Sequence, residues 1–120
     1  MASFSGAIDG GTGTNTLNVA GGDLSAAASS ITNIQVADVH DGVAGGAYAL
    51  TAAAIQQIVG AGTTSDLTFR MDTGDTFTAT ATAGVTVNQT VDPLDSNHIH
   101  YDYIQTAGAL TIAQLEVHKV

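Results

Sequence analysis

The stretch "HIHYDY" sets His98, His100 and Asp102 at a period of two. Alternate side chains of a strand share a face, so two imidazoles and a carboxylate would stand in one row, a donor set suited to a transition metal. His40 beside Asp41, or His118 near Glu116, would complete such a metal-binding protein or enzyme site. A hydrolytic centre would also need an open coordination position and a pocket. The same row equally describes the solvated side of an outer strand whose other side packs Ile99, Tyr101 and Tyr103.

Oxygen-bearing residues gather at three turns. In "GGTGTNTLN", Gly11 and Gly13 let backbone carbonyls wrap a hard cation, and Asn15 adds an amide oxygen. Asp72 and Asp75 in "DTGD", and Asp92, Asp95 and Asn97 in "DPLDSN", form two further sets. Calcium is the ion such sets would take; the competing role is turn chemistry, because Asp and Asn bond their own backbone in loops. The first turn is not a phosphate cradle. Thr14 and Asn15 follow Gly13 where a Walker loop needs lysine, and a strand follows where a dinucleotide fingerprint needs a helix. There is no cysteine, no serine in a nucleophile elbow, and lysine only at position 119, so the protein is expected not to be an enzyme.

Charge narrows the partners. In 120 residues, Arg70 and Lys119 stand against eleven acidic side chains, a formal net charge of −9. Phosphate backbones and anionic headgroups need clustered Lys or Arg, so neither nucleic acid nor a membrane is an expected partner. Only 11% of residues are charged while 44% are hydrophobic, so Thr, Ser, Asn, Gln, Ala and Gly must fill the surface. Such a surface suits ordered assembly better than dispersal in a crowded cytoplasm. No run of about 18 apolar residues could span a bilayer, and "MASFSGAIDGG" lacks the basic and apolar regions of a signal peptide. An extracellular or cell-surface location, reached without a cleaved N-terminal signal, is expected.

The elements that must carry these residues read as strands, with one short helix, in a single β-rich module over 1–120. "NIQVADV" alternates as one half-buried strand, with Ile34 and Val36 on one side and Gln35 and Ala37 on the other. "GGD" at Gly21–Asp23 is a turn and "LSAAASS" a weak helical one. Ala47–Leu50 is a short strand. About residues 51–59, Thr51 as N-cap, a stripe of Ala54, Ile55, Ile58 and Val59, and Gly60 as stop predict a helix. Leu67, Phe69 and Met71, then Phe77, Ala79 and Ala81, predict a hairpin about "DTGD" with a threonine face opposite. A final hairpin joins "YDYIQT" to "ALTIAQLEV" across Ala107 and Gly108. The expected fold is mainly β, a β-sandwich or β-roll-like single domain.

Three blocks carry a family resemblance: "DGGTGTNTLNV"; "ITNIQVADV", "YALTAAAIQQIV" and "SDLTFRMDTGDTFTAT"; and "YDYIQTAGALTIAQLEV". Together they resemble a module of repeat-in-toxin, type I secreted bacterial adhesins and surface-layer-like proteins. Leu67, Phe69, Gly74, Asp75 and Phe77 match that group's "L-x-I-x-G-x-x-G-D-x-V" motif, and Asn15 departs from its usual aspartate. The resemblance implies a calcium-associated structural unit, carried in long surface chains or in self-assembled layers and filaments. The expected partner is therefore the protein itself or neighbouring modules of the same chain. Ala2, Ser3, Phe4, Ser5, Gly6, Ala7 and Ile8 are the segment expected to add as a strand to a neighbour's sheet edge. A virion decoration or tail-tube protein would fit the same composition.

Overall fold

A computed structural model describes residues 8–19, 31–60 and 66–120. The chain runs β1 (Ile8–Asp9), β2 (Thr16–Asn18), β3 (Ile31–Thr32), β4 (Val36–Asp38), β5 (Ala47–Thr51), α1 (Ala52–Val59), β6 (Asp66–Met71), β7 (Thr76–Thr80), β8 (Val85–Asp92), β9 (Asp95–Gln105) and β10 (Leu110–Lys119). Among the described residues the fold is mainly β with one short helix. "GGD", "LSAAASS" and the expected donor residues Ala2–Ala7 lie outside the described residues, while Ile8 pairs with Ile31 of its own chain.

Parallel ladders define the first half. β1 pairs with β3, β2 with β4, β4 with β6, and β5 with β7, all parallel. Each strand therefore lies beside the one reached after a further circuit of the chain, and β1–β2, β3–β4–β5 and β6–β7 stack as successive coils. Of the two expected architectures, parallel winding is that of a roll. The second half is an antiparallel meander, with β10 laid parallel to β6, so that the main sheet has the order β2-β4-β6-β10-β9-β8.

Strict alternation splits this sheet into two faces. Leu67, Phe69 and Met71 of β6, Ala113, Leu115 and Val117 of β10, and Tyr101 and Tyr103 of β9 all turn inward. Ala37 and Val39 continue this face beside β6, and Ile55 and Ile58 of α1, with Ile31 and Ile34, belong to the same core. A chain of rings, Tyr48, Phe69, Phe77 and Tyr101, crosses the interior with centroids 5.4, 5.2 and 5.6 Å apart. Burial pushes the Tyr103 phenol up in pKa, and its hydroxyl is satisfied by donating to the Leu50 carbonyl at 2.7 Å.

The helix forms as expected. Thr51 is extended, and its Oγ1 accepts from the Ala54 amide at 3.1 Å, while Gly60 ends the helix at a φ of 105°. Its buried face is Ala52, Ile55, Ile58 and Val59, with Ala54 only half-buried.

Two expected elements are built differently. β6 and β7 do not form a hairpin, because β6 is already flanked by β4 and β10, and β7 takes β5 instead. "DTGD" is thus a corner between two sheets. "NIQVADV" is not one strand, because Asn33 takes a positive φ of 58° and Ile34 and Gln35 lie outside β3 and β4. That break resets the alternation, so Ala37 is buried and Val36 only half-buried.

Candidate functional site on the polar face of the main sheet

The outer face of β9 and β10 carries His98, His100 and Asp102 from one strand and Gln114, Glu116 and His118 from the other. Across the antiparallel ladder His98 opposes His118, His100 opposes Glu116, and Asp102 opposes Gln114. Next to β10, the parallel strand β6 contributes Asp66, Thr68 and Arg70 at the same three levels.

Glu116 is the hub. His98 Nε2 meets its Oε2 at 2.7 Å, and His100 Nδ1 is hydrogen-bonded to its Oε1. The other His100 nitrogen, Nε2, lies 2.8 Å from Asp102 Oδ1, which also accepts from Gln114 Nε2 at 3.1 Å. The His98 and His118 rings lie with centroids 4.3 Å apart, and His98 Nδ1 faces Asp92 Oδ2 at 3.8 Å. Arg70, level with His118, is held by Asp38 at 3.0 Å.

The electrostatics follow from these contacts. Partial burial opposes charge on His100, but Glu116 and Asp102 outweigh it and raise its pKa above the usual histidine range. Burial, and then the neighbouring His98, lower that of His118. Burial disfavours the Asp102 carboxylate, yet the bonds from Gln114 and His100 prevail and hold its pKa down. Asp66 is pushed up by burial and then by the charge of Glu116.

The expected trio is therefore divided in its contacts. Ligand atoms of His98, Glu116 and His118 lie within 4.8 Å of one another, whereas both ring nitrogens of His100 are engaged by carboxylates. His40 stands elsewhere, with Nε2 3.3 Å from Asp72 Oδ1. Glu116 and His118 entered the sequence analysis only as a possible completion, and Gln114 and Asp38 not at all. The period-two row Gln114, Glu116 and His118 was visible in the sequence; its alignment with the row on β9 was not.

The three oxygen-rich turns stand at three separate places. At the corner, Asp72 and Asp75 are 7% and 2% exposed. Asp72 accepts from the backbone amides of Asp41 at 2.9 Å and Gly42 at 3.1 Å, and Asp75 from those of Gly46 at 2.7 Å and Asp72 at 3.1 Å. These carboxylates tie the corner to the preceding coil. The tie is close, since a Cβ on Gly74 would stand 2.3 Å from that of Ala44. In the β8–β9 turn, Asp92 accepts from the Leu94 amide and Asp95 from that of Asn97, both local turn bonds.

In the first turn, Gly11 and Gly13 both take positive φ. The carbonyls of Gly11, Thr12, Gly13 and Asn33 converge on Asn15 Nδ2 at 3.2, 3.4, 3.4 and 3.0 Å. A two-proton donor thus sits at the focus of four carbonyl oxygens. Asp9 lies alongside, its Oδ1 accepting from the Gly11 amide and from Asn33 Nδ2, and these bonds lower its pKa, the Asn33 bond most. A hard cation finds suitable carbonyls here but no directly placed carboxylate.

Fold and site together define a mainly-β module wound as parallel coils and closed by an antiparallel meander, with one apolar and one histidine–carboxylate face on its main sheet. No protein-family model matches the chain, and no curated protein or solved structure matches it either.

Proposed function

We propose that the chain is a structural, non-catalytic module of an extracellular or cell-surface assembly. It joins copies of itself, or neighbouring modules of the same chain, along the edge of β8. The observation that carries this reading is the character of that edge. β8 ends the main sheet among the described residues and spans eight residues, Val85–Asp92. From Val85 to Val91 it carries neither charge nor proline, and its register shift comes only between Val91 and Asp92. A long edge strand presents unpaired N–H and C=O groups, which proteins that stay monomeric ordinarily guard with lysine, proline or an early bulge. Thr86, Asn88 and Thr90 add exposed polar side chains beside that backbone.

The resemblance to repeat-in-toxin, type I secreted adhesin modules supports the same reading and brings calcium with it. In this proposal calcium belongs at the first turn, where the carbonyls of Gly11, Thr12, Gly13 and Asn33 are the donors and the Asn15 amide competes for their focus. Affinity there is weak, because calcium affinity rises with the number of charged ligands.

Sedimentation velocity over a wide concentration range, with calcium or with a chelator, tests the reading. Wild-type protein is expected to associate as concentration rises, more strongly with calcium. A Thr86→Lys/Asn88→Lys double variant is expected to remain monomeric with an unchanged melting temperature. A wild type that stays monomeric throughout, in both calcium and chelator, overturns the proposal.

A further inference from the structure

We infer that His98, Glu116 and His118 form a binding site for a divalent transition metal, with zinc as its simplest occupant. The site is independent of the assembly proposed above and of the calcium turn.

Three observations carry it. The first is distance. The ligand atoms of all three residues fall within 4.8 Å of one another. An ion with bonds of about 2.0–2.2 Å to nitrogen and oxygen holds neighbouring donors about 3.3–3.6 Å apart, so small rotations of side chains already in place suffice. The His98–Glu116 contact of 2.7 Å is bridged by a proton. The ion takes that proton's place between the same two atoms.

The second is donor type. Two imidazoles and one carboxylate suit zinc, copper, nickel or iron(II), whereas calcium prefers an all-oxygen shell. Three protein ligands on a half-buried sheet face leave a further position open to solvent.

The third is support behind the ligands, which an ordinary solvated row of histidines lacks. Glu116 Oε1 is held by His100 Nδ1, His100 Nε2 by Asp102, and Asp102 by Gln114. Behind His98, Nδ1 lies 3.8 Å from the Asp92 carboxylate, at ion-pair distance without a hydrogen bond. Carboxylates placed behind ligating imidazoles, and donors placed behind ligating carboxylates, orient the ligands and raise their basicity. Arg70, level with His118 on β6, hydrogen-bonds Asp38 at 3.0 Å. Two neighbouring strands of the main sheet carry all three ligands, so their spacing is set by the ladder and not by a loop.

The test is a zinc titration of the full chain by calorimetry, in parallel with 1H–15N spectra of the imidazoles. One equivalent of zinc is expected to bind and to shift the ring nitrogens of His98 and His118, leaving His40 unmoved, and excess calcium should not displace it. His98→Ala, Glu116→Gln and His118→Ala should each abolish tight binding, and His40→Ala should change nothing. His100→Ala, a positioning change, should keep the stoichiometry and weaken affinity about tenfold to a hundredfold. The spectra use unaltered protein, so the test stands even where a variant fails to fold. Absence of binding, binding that shifts His40 as much as His98, or affinity indifferent to His118→Ala would each overturn the assignment. Sedimentation with and without zinc keeps failure here distinct from failure of the β8 interface.

Discussion

At the residue scale, Asp72 and Asp75 staple one coil to the next by accepting its backbone amides. A carboxylate that accepts backbone amides is stabilised as the anion. The Asp72 pKa lies below the usual carboxylate range, chiefly because of the Asp41 amide, which outweighs burial, with Gly42 and His40 adding to it. The folded value is thus depressed relative to an unfolded one of about 3.9. Its stabilisation is fully present above that unfolded pKa and is lost as pH falls through the folded one. Urea midpoints measured from neutral pH downward should therefore fall below about pH 4, and Asp72→Asn should lower the neutral midpoint and flatten the acid limb. An unchanged acid limb in the variant would show that other carboxylates, such as Asp9, set it.

At the element scale, local signals were strong where an element is its own context. The helix had its cap, stripe and stop in sequence, and it folds between Thr51 and Gly60. Thr51→Ala should cost about 1 kcal/mol, read from the urea midpoint, because the Ala54 amide loses its acceptor. A loss below a few tenths of a kcal/mol would mean that tertiary packing alone sets the helix start. The β9–β10 hairpin was equally legible, with strands of the right period on either side of Ala107 and Gly108. The "DTGD" hairpin was not. Two alternating runs around a tight turn look the same whether they pair with each other or turn a corner, and only the occupancy of both β6 edges separates the cases. "NIQVADV" failed for a different reason, since the chain leaves the strand at Ile34 and Gln35, where the amides of Gln35 and Val36 both reach the Asn15 carbonyl, and the alternation slips so that Ile34 and Ala37, not Ile34 and Val36, are buried.

At the scale of the whole molecule, charge and edge act against each other. On the proposed β8 interface, copies bearing a formal net charge of −9 would repel, while the uncharged strand edge would attract through backbone bonds. Raising salt from about 0.01 M to about 0.3 M shortens the screening length several-fold, so the concentration needed for association should fall. Light scattering across that range checks it, and association that weakened with salt would mean that opposite charges, rather than the β8 backbone, join the copies.

Composition alone set the expectation that phosphate backbones are poor partners, since two basic residues offer little to neutralise them. Period-two and helical patterns decided the mainly-β fold, the helix and the last hairpin, because each of these depends on neighbours in sequence. Tertiary structure decided the winding and the meeting of His98, Glu116 and His118. The Leu110–Gln105 register, continued unchanged, would set His118 against Asn97 and Glu116 against Ile99. A one-residue shift between Thr111 and Ala113 instead brings His118 to His98 and Glu116 to His100. Sequence periodicity says which residues share a face, but which of them meet across a ladder is set by a bulge that packing of the buried side selects.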